Sequence, residues 1–466
     1  MSRELVIILA WTFAIMVLVP KLLRHTELGF SPKGQRFGWW ALLLYLQFVM
    51  VLLAPILIAI YGVGAFPQSL FVATDGQTFN ISLIVLYAVT LFFITLSLSL
   101  RVVFSKKVEY GACCGPQDYQ ASQRFAFAAM VSGMGIMIFG IVFLKFHNAL
   151  IDVLLTGDDL WTVRRANKYF TDLPSIFQYL ITVSGWITAV HAGFAYGKRR
   201  YAEGGFYTVC TVLLAGAAGG KGPVLQALIM IALAYAVVRQ RGLNPRSVVL
   251  FTVLGIPLAF GVLYLLVSLQ VPSLTPELFG GYLANRLGVG QMAGTYDGIS
   301  FYQSLGRRVT GDFWIDIFPL SHSFVPHLSY ARKLMMDVEG FAADNTGMKN
   351  SFFVSEAFGM GGMTLVVISP VIVGISFAIG IKLIGWILKR LFNARVSSMY
   401  FMPIALVSQN VTGDFSQFPL LRGFFTLMVM LVIIAIPYVL FGRIRQTLPR
   451  RHAFLSRDEA GTPRSL

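Results

Sequence analysis

The sequence predicts an all-α membrane protein, a polytopic bundle of about eleven spanning helices. Hydrophobic residues make up 56% of the chain and charged residues only 12%, and the mean hydropathy is +0.71. One water-soluble core cannot bury that much apolar surface, so lipid must act as part of the solvent. Long apolar segments recur along the chain, and most of the 37 Lys and Arg residues lie in short loops between them. Both patterns are typical of membrane-spanning helices.

Eleven segments approach the ~20 apolar residues that a helix needs to cross a bilayer. They are 5–23, 39–63, 81–104, 125–145, 175–197, 205–218, 223–239, 248–271, 362–388, 397–411 and 420–442. The sixth and the tenth are short, and such spans can still cross when the bundle buries them or lets water approach their ends.

The loops rich in Lys and Arg predict the orientation, because such loops stay on the cytoplasmic side. Lys198, Arg199 and Arg200 form one of them, and the tail 443–466 is also basic. The loop 64–80 has no basic residue and belongs on the opposite side. We therefore expect a bacterial inner-membrane protein with a periplasmic N-terminus and a cytoplasmic C-terminus. The net charge of +16 then reflects loops that face anionic lipid, which argues against a nucleic-acid partner.

One largely polar segment, 273–361, is far longer than the other loops and lies on the periplasmic side of this topology. It divides the chain into the first eight spans in 1–272, a periplasmic loop domain of short amphipathic helices, the last three spans in 362–442, and the cytoplasmic tail 443–466. The segment holds eight acidic and six basic residues. Its arginines are therefore candidates for specific contacts rather than for a general field that attracts anions.

Two smaller outer segments also place cations beside the membrane. Residues 145–174 hold Arg164 and Arg165 among aromatic residues. They form either an interfacial helix with snorkelling charges or a contact for an anionic headgroup or a sugar. The hairpin 218–223 holds Lys221 between glycines but lacks the hydroxyl residue and the preceding strand of a P-loop. Lys221 either binds phosphate beside a helix start or anchors the hairpin at the interface.

The segment 273–361 supplies further charged candidates. Arg286 lies in an amphipathic passage that can run close to the membrane surface, and Arg307 and Arg308 follow as a pair. Around Asp312, carboxylates alternate with aromatic residues. This composition is expected of a carbohydrate groove, and an interfacial aromatic belt has a similar one.

Two histidines of the same segment, His322 and His327, are the candidates for a metal site. They are not spaced as a helical i, i+4 zinc pair, and no Cys and no HExxH pattern accompanies them. We therefore expect neither a metal nor another cofactor.

The run that leads into the ninth predicted span carries a family resemblance. Glu356, Phe358, Gly359 and Gly362 form a Glu-aromatic-Gly-x-x-Gly pattern at the opening of a late transmembrane helix. This pattern resembles the Wzy-type O-antigen polymerases, GT-C-like integral membrane glycosyltransferases that join oligosaccharide repeat units. The approach 317–326 and the glycine-rich hairpin resemble further parts of that family, although the hairpin has Lys where Arg is common.

The resemblance implies transfer of a growing glycan from undecaprenyl diphosphate to a sugar hydroxyl of the next lipid-linked repeat unit. Basic side chains would neutralise the departing diphosphate without a metal, and a carboxylate or histidine would act as the base. The cations expected to bind the donor are, in order, Arg286 and Lys221, then Arg164 and Arg165, then Arg307, Arg308 and Arg422. The candidate bases are Glu356, Asp312, His322 and His327.

Of these residues, Glu356, Arg286 and Asp312 are the ones expected to act in catalysis. Glu356 has a structural alternative, a buried carboxylate that accepts hydrogen bonds from helix N-terminal amides. Arg422 also has one, an interfacial anchor at the start of the last helix.

Two other functions suit a similar architecture. An O-antigen ligase uses the same donor but transfers the glycan to lipid A core. An exporter or flippase would carry charged residues within its spans, and the predicted spans are nearly free of acids. For the polymerase, the expected partners are the undecaprenyl-diphosphate-linked donor and acceptor and the lipid bilayer, with a chain-length regulator and a flippase as further candidates.

Overall fold

The computed structural model describes residues 2–26, 28, 40–67, 69–104, 115–156, 171–239, 261, 264–265, 267–268, 275–306, 330–340, 350–409, 411 and 413–447. These ranges include fourteen α-helices and contain no β-strand. The predicted all-α fold class is therefore confirmed.

The helices are α1 (Arg3–Leu23), α2 (Ala41–Tyr61), α3 (Asp75–Val103), α4 (Pro116–Phe143), α5 (Ala149–Thr156), α6 (Ser175–Gly197), α7 (Tyr201–Ala215), α8 (Lys221–Arg239), α9 (Pro276–Leu283), α10 (Gly290–Leu305), α11 (Tyr330–Glu339), α12 (Val354–Leu391), α13 (Ala394–Ser408) and α14 (Arg422–Thr447). A π-helix, Ala284–Val289, joins α9 to α10. Short 3₁₀ turns cover Val63–Ala65 and Phe415–Gln417.

Seven of the described helices are long and apolar enough to cross a membrane, namely α1, α2, α3, α4, α8, α12 and α14. Each coincides with a predicted span. Three further predicted spans coincide with α6, which is more polar, and with α7 and α13, which have 15 residues each. The predicted span 248–271 falls largely outside the described residues. The chain is thus a membrane protein, and its total number of spans remains a prediction.

Helix α6 is enclosed by protein along most of its length. Residues 180–195 are buried, and α6 packs against α4, α7 and α8. Glycines allow this close packing: a methyl group on Gly193 would overlap the Ile231 carbonyl of α8, and one on Gly185 would lie 2.8 Å from the Ala215 nitrogen of α7. A helix that faces other helices can carry Thr, Ser and His, because its neighbours satisfy their hydrogen bonds. The polarity of α6 follows from this position.

Part of the predicted periplasmic segment packs into the same bundle. Helix α10 contacts α2, α3 and α12, and its residues 292–300 are all buried. The preceding π-helix is equally close to α2, since a methyl group on Gly288 would overlap the Leu57 side chain. The segment 273–361 therefore contributes a core helix, and its limits as a separate domain remain a prediction.

Candidate functional site at the start of helix α12

Helix α12 begins with a short segment that one glycine separates from the rest. Gly362 has φ 62° and ψ −153°, backbone angles that only glycine adopts without large strain. Within the segment 354–361, Gly359 lies against the rings of Tyr302 and Tyr330. A methyl carbon added to Gly359 would lie 3.2 to 3.4 Å from carbon atoms of these rings. The two glycines of the Glu-aromatic-Gly-x-x-Gly pattern thus have different roles. One breaks the helix, and the other permits a close contact.

Glu356 lies in the first turn of α12 and is fully buried. Its Oε2 accepts a hydrogen bond of 2.7 Å from the Ser416 amide. Ser416 belongs to the 3₁₀ turn between α13 and α14, so this donor comes from a distant part of the chain. A buried carboxylate is costly unless it receives such hydrogen bonds. The alternative role, a buried carboxylate that accepts from helix N-terminal amides, stays open, because Ser416 itself lies in the short 3₁₀ helix Phe415–Gln417.

Tyr330 of α11 brings a phenol to the same place. Its Oη lies 2.8 Å from Ser355 Oγ and donates to the Ser355 carbonyl at 3.0 Å. Burial raises the pKa of Tyr330 well above its ordinary value, and the neighbouring Tyr302 and the carboxylates of Glu356 and Asp414 raise this pKa further. The carboxylates of Glu356 and Asp414 therefore both favour the neutral form of the buried Tyr330 phenol. We call Glu356, Tyr330, Ser355 and Ser416 the Glu356 corner.

Helix α10 packs directly against this corner. Ser355 Oγ donates to the Gly294 carbonyl at 2.7 Å, and Thr295 Oγ1 accepts from the Phe352 amide at 2.7 Å. A methyl group on Gly298 would overlap Ser355 Oγ. Because Gly298 has no side chain, α10 can approach the start of α12 closely. The hydrogen bonds at Gly294 and Thr295 then hold the two helices together.

A second buried carboxylate, Asp297 of α10, fixes the other side of that helix. Its Oδ1 accepts from the amides of Phe71, Val72 and Ala73 at 3.2, 2.9 and 2.9 Å, and its Oδ2 accepts from Phe71 at 3.0 Å. These residues directly precede α3. A carboxylate that accepts several backbone amides ties the two segments together. The sequence analysis did not single out Asp297, although an acid between apolar residues of an amphipathic run is a usable signal.

Arg286 lies on the π-helix just before α10, and its side chain is exposed. Its guanidinium carbon lies 5.9 Å from the centre of the Tyr282 ring, and its carbonyl accepts from Gln291 Nε2 at 2.8 Å. The neighbouring Asn285 accepts a 2.5 Å hydrogen bond from the Ser69 hydroxyl, which fixes the turn. π-Helical turns occur frequently at functional sites. The position suits a cation that contacts a ligand from the surface.

Arg422 is the other expected cation whose side chain the structure describes. It is half-buried and begins α14, shortly after the turn that contains Ser416. The chain turns sharply there, since Leu421 has a positive φ of 55°. Arg422 is therefore connected through a few residues to the amide that binds Glu356.

The hairpin between α7 and α8 and the segment after α4 are in contact. The Ala149 amide donates to the Ala217 carbonyl at 2.9 Å, and a methyl group on Gly216 would overlap Leu150. Asn148 joins both parts, because its Oδ1 caps the start of α5 and its Nδ2 donates to the Leu213 carbonyl at 3.2 Å.

Most remaining candidates lie outside the described residues. These are Arg164, Arg165, Arg307, Arg308, Asp312, His322 and His327, together with the side chain of Lys221. The backbone of Lys221 begins α8. Within the ranges that the structure describes, no three His, Cys, Asp or Glu side chains lie close enough together to hold a metal ion.

Comparisons with known proteins find no match to this chain. No family model matches the sequence. No curated protein and no solved structure matches it either.

Proposed function

We propose that this chain is a lipid-diphosphate-dependent glycosyltransferase that polymerises undecaprenyl-diphosphate-linked repeat units into a surface polysaccharide at the periplasmic face of the bacterial inner membrane. The observation that carries the proposal is the buried Glu356 at a broken helix start, held by the Ser416 amide. Ionisable groups buried in a membrane protein are costly and usually functional. The resemblance of the surrounding motif to the Wzy-type polymerases supplies the reaction.

In the proposed reaction, Glu356 accepts the proton of the acceptor sugar hydroxyl. The hydroxyl oxygen forms a bond to the anomeric carbon of the donor, and the bond from that carbon to the diphosphate oxygen breaks. Undecaprenyl diphosphate leaves with the electron pair. The Ser416 amide favours the ionised carboxylate before the proton arrives, because a charge-assisted hydrogen bond is strongest to the anion. Since Glu356 is buried, the proposal requires the acceptor to enter by displacing α11 or the turn Phe415–Gln417.

The leaving diphosphate requires positive charge, and the proposal assigns it to several cations. Arg422 follows the turn that carries Ser416, and Arg286 projects from the π-helix before α10. Lys221, Arg164, Arg165, Arg307 and Arg308 are the further proposed donor contacts, with Asp312, His322 and His327 as further groups near the acceptor. Arginine suits this role, because its planar guanidinium can bind two phosphate oxygens at once.

A second candidate function, an exporter or flippase, is favoured by one specific observation. Such proteins use ionisable groups within the bundle, and the described structure contains a histidine and a glutamate in direct contact there, His191 and Glu203. An experiment on a deletion strain must therefore distinguish loss of export from loss of polymerisation.

The strain experiment compares the surface glycan of a deletion strain with that of its parent on a gel. Polymerase loss predicts caps of a single repeat unit on the lipid A core. Ligase loss instead predicts long lipid-linked chains and a bare core, and export loss predicts unpolymerised units retained inside. Either of the last two patterns would overturn the proposed function.

The residue experiment complements that strain with Glu356→Gln, which keeps the size of the side chain. We expect chain extension to fall about 100-fold or more, the range for a lost general base, at normal protein level and melting temperature. Glu277→Gln, at an exposed position in the first turn of α9, is the matched control and should restore long chains. Long chains from Glu356→Gln would remove Glu356 as the base. Arg286→Ala tests the donor contact in the same assay and should shorten the chains.

A further inference from the structure

A second buried polar cluster lies where α4, α6, α7 and α13 meet. Its centre is His191 of α6, which is fully buried. Ser122 of α4 and Tyr400 of α13 are also buried, whereas Glu203 in the first turn of α7 retains 19% of its side-chain exposure. The nearby Arg200 is 58% exposed. The cluster thus extends from a solvent-facing end into the bundle. We call it the His191 cluster.

The described hydrogen bonds form one continuous chain. His191 Nε2 lies 3.0 Å from Glu203 Oε1, and His191 Nδ1 lies 2.8 Å from Ser122 Oγ. Ser122 Oγ lies 2.6 Å from Tyr400 Oη. Around the carboxylate, Gln123 Nε2 donates to Oε1 at 2.9 Å, and Arg200 is 3.4 Å from Oε2. Three helices are therefore linked to the carboxylate through one imidazole.

The chemistry of the partners fixes the direction of this chain for a neutral imidazole. A carboxylate only accepts, so His191 Nε2 carries the hydrogen and donates to Glu203. His191 Nδ1 is then the acceptor, and the Ser122 hydroxyl donates to it. Ser122 in turn accepts from the Tyr400 hydroxyl. This tautomer is assigned from the network. Each ring nitrogen then has one role, and the Ser122 hydroxyl both donates to His191 Nδ1 and accepts from Tyr400.

When His191 binds one proton, the donor and acceptor exchange roles in a single hydrogen bond of this chain. With a proton on Nδ1, both ring nitrogens donate, so the Ser122 hydroxyl must turn away and accept instead. The new charge is balanced by the Glu203 carboxylate, 3.0 Å from Nε2. The bond that reverses is the one that connects α4 to α6.

The other titratable groups around His191 are mostly aromatic. Tyr119 of α4 and Tyr207 of α7 lie with ring centres 5.3 and 4.6 Å from the imidazole. Arg200 lies over the Tyr119 ring at 4.7 Å. Helices α8 and α14 also pack on α6. Among their described titratable side chains, Arg239 lies over Tyr235, and the Tyr438 hydroxyl accepts from Asn393 Nδ2. Glu203 is thus the acid that directly contacts the imidazole in the described cluster.

We propose that the His191 cluster is a proton-binding site, loaded from the solvent-facing end through Glu203, with His191 as the group that gains and loses the proton. The inference does not depend on the proposed glycosyltransferase function. The hydrogen bond from His191 holds the pKa of Glu203 low, at about 2. Glu203, which precedes the predicted span 205–218, therefore stays ionised across the range in which an imidazole titrates.

The test observes the imidazole nitrogens directly. The protein is labelled with ¹⁵N-histidine, reconstituted in phosphatidylcholine vesicles, and followed by solid-state NMR from pH 8 to pH 4. The chain has six histidines, so the signal of His191 is obtained by subtracting the spectrum of His191→Gln. We expect a neutral, Nε2-protonated ring at high pH that converts to imidazolium within this range. In Glu203→Gln the midpoint should fall by about 1 to 3 pH units, because an opposite charge in contact is removed.

Controls make each outcome decisive. Glu277→Gln removes an exposed carboxylate from another part of the protein and should leave the midpoint unchanged. If His191→Gln does not fold, Ser122→Ala identifies the signal instead, because only the Nδ1 bonded to Ser122 loses its donor. A His191 ring that stays neutral to pH 4 would overturn the proposal. An unchanged midpoint in Glu203→Gln would overturn the assigned entry through Glu203.

Discussion

The Glu356 corner and the His191 cluster hold a buried or nearly buried carboxylate in opposite ways. Glu356 accepts from a backbone amide of a distant turn, so its position depends on how three segments of chain pack. Glu203 accepts from side chains of His191, Gln123 and Arg200, and one of these can change its charge. A backbone donor fixes a carboxylate, whereas an imidazole donor makes it part of a titrating unit. The difference is consistent with the two proposals, a positioned base in one region and a proton-binding site in the other.

The largest expected effect comes from Asp297, which anchors the helix behind the Glu356 corner. Asp297→Ala leaves three backbone amides without their carboxylate, so we expect a loss of about 3 to 5 kcal/mol, as for other broken buried charge contacts. Thermal unfolding of the protein in nanodiscs, followed by tryptophan fluorescence, measures the change. Asp337→Ala, at an exposed position of α11, is the control and should stay within about 0.5 kcal/mol. Equal melting temperatures for the two variants would show that Asp297 does not hold α10.

The sequence predicted the fold class, which is confirmed, and it singled out Glu356, whose role as a base stays a prediction; both rest on local patterns. Apolar segments of spanning length mark helices wherever they pack, and the Glu356 motif contains two glycines whose backbone roles are local. The burial of the polar helix α10 was harder to predict from the sequence. Composition indicates a loop domain, yet Thr295 and Asp297 bond to residues more than fifty positions away, and these contacts allow α10 to be buried.

The His191 cluster could not be predicted for a related reason. His191, Ser122 and Tyr400 lie in three different helices, separated by long stretches of sequence. Each is unremarkable on its own helix, and only the packing of α4, α6 and α13 brings them together. Glu203 follows a basic loop and appears in the sequence as an ordinary interfacial acid. The predicted span 205–218 begins after Glu203, so this acid is not counted within a span.

The helix break at Gly362 should have an intermediate effect on stability. Gly362→Ala forces a side chain into a conformation with φ 62° and ψ −153°, which costs about 1 to 3 kcal/mol. Gly135→Ala in α4 is the matched control, because an added methyl group there meets nothing within 4 Å. That substitution should be neutral or slightly stabilising, since Ala favours helix. The same melting assay measures both variants. If Gly362→Ala matched Gly135→Ala, the break would not be needed to place Glu356.

The smallest effects come from two buried tyrosines that each bond to a serine, one in each region. Tyr296 is on α10, the helix that packs against the Glu356 corner, and its Oη lies 2.9 Å from Ser82 Oγ. Tyr400 is in the His191 cluster, and its Oη lies 2.6 Å from Ser122 Oγ. Tyr296→Phe and Tyr400→Phe each remove one hydroxyl and keep the ring, so both should cost about 0.5 to 1.5 kcal/mol in the melting assay. The titration of His191 should separate them, because only Tyr400 belongs to the chain that ends at the imidazole. A shift of the His191 midpoint in Tyr400→Phe with no shift in Tyr296→Phe is the expected result. Equal midpoints in both variants would mean that Tyr400 packs beside the proton site without taking part in it.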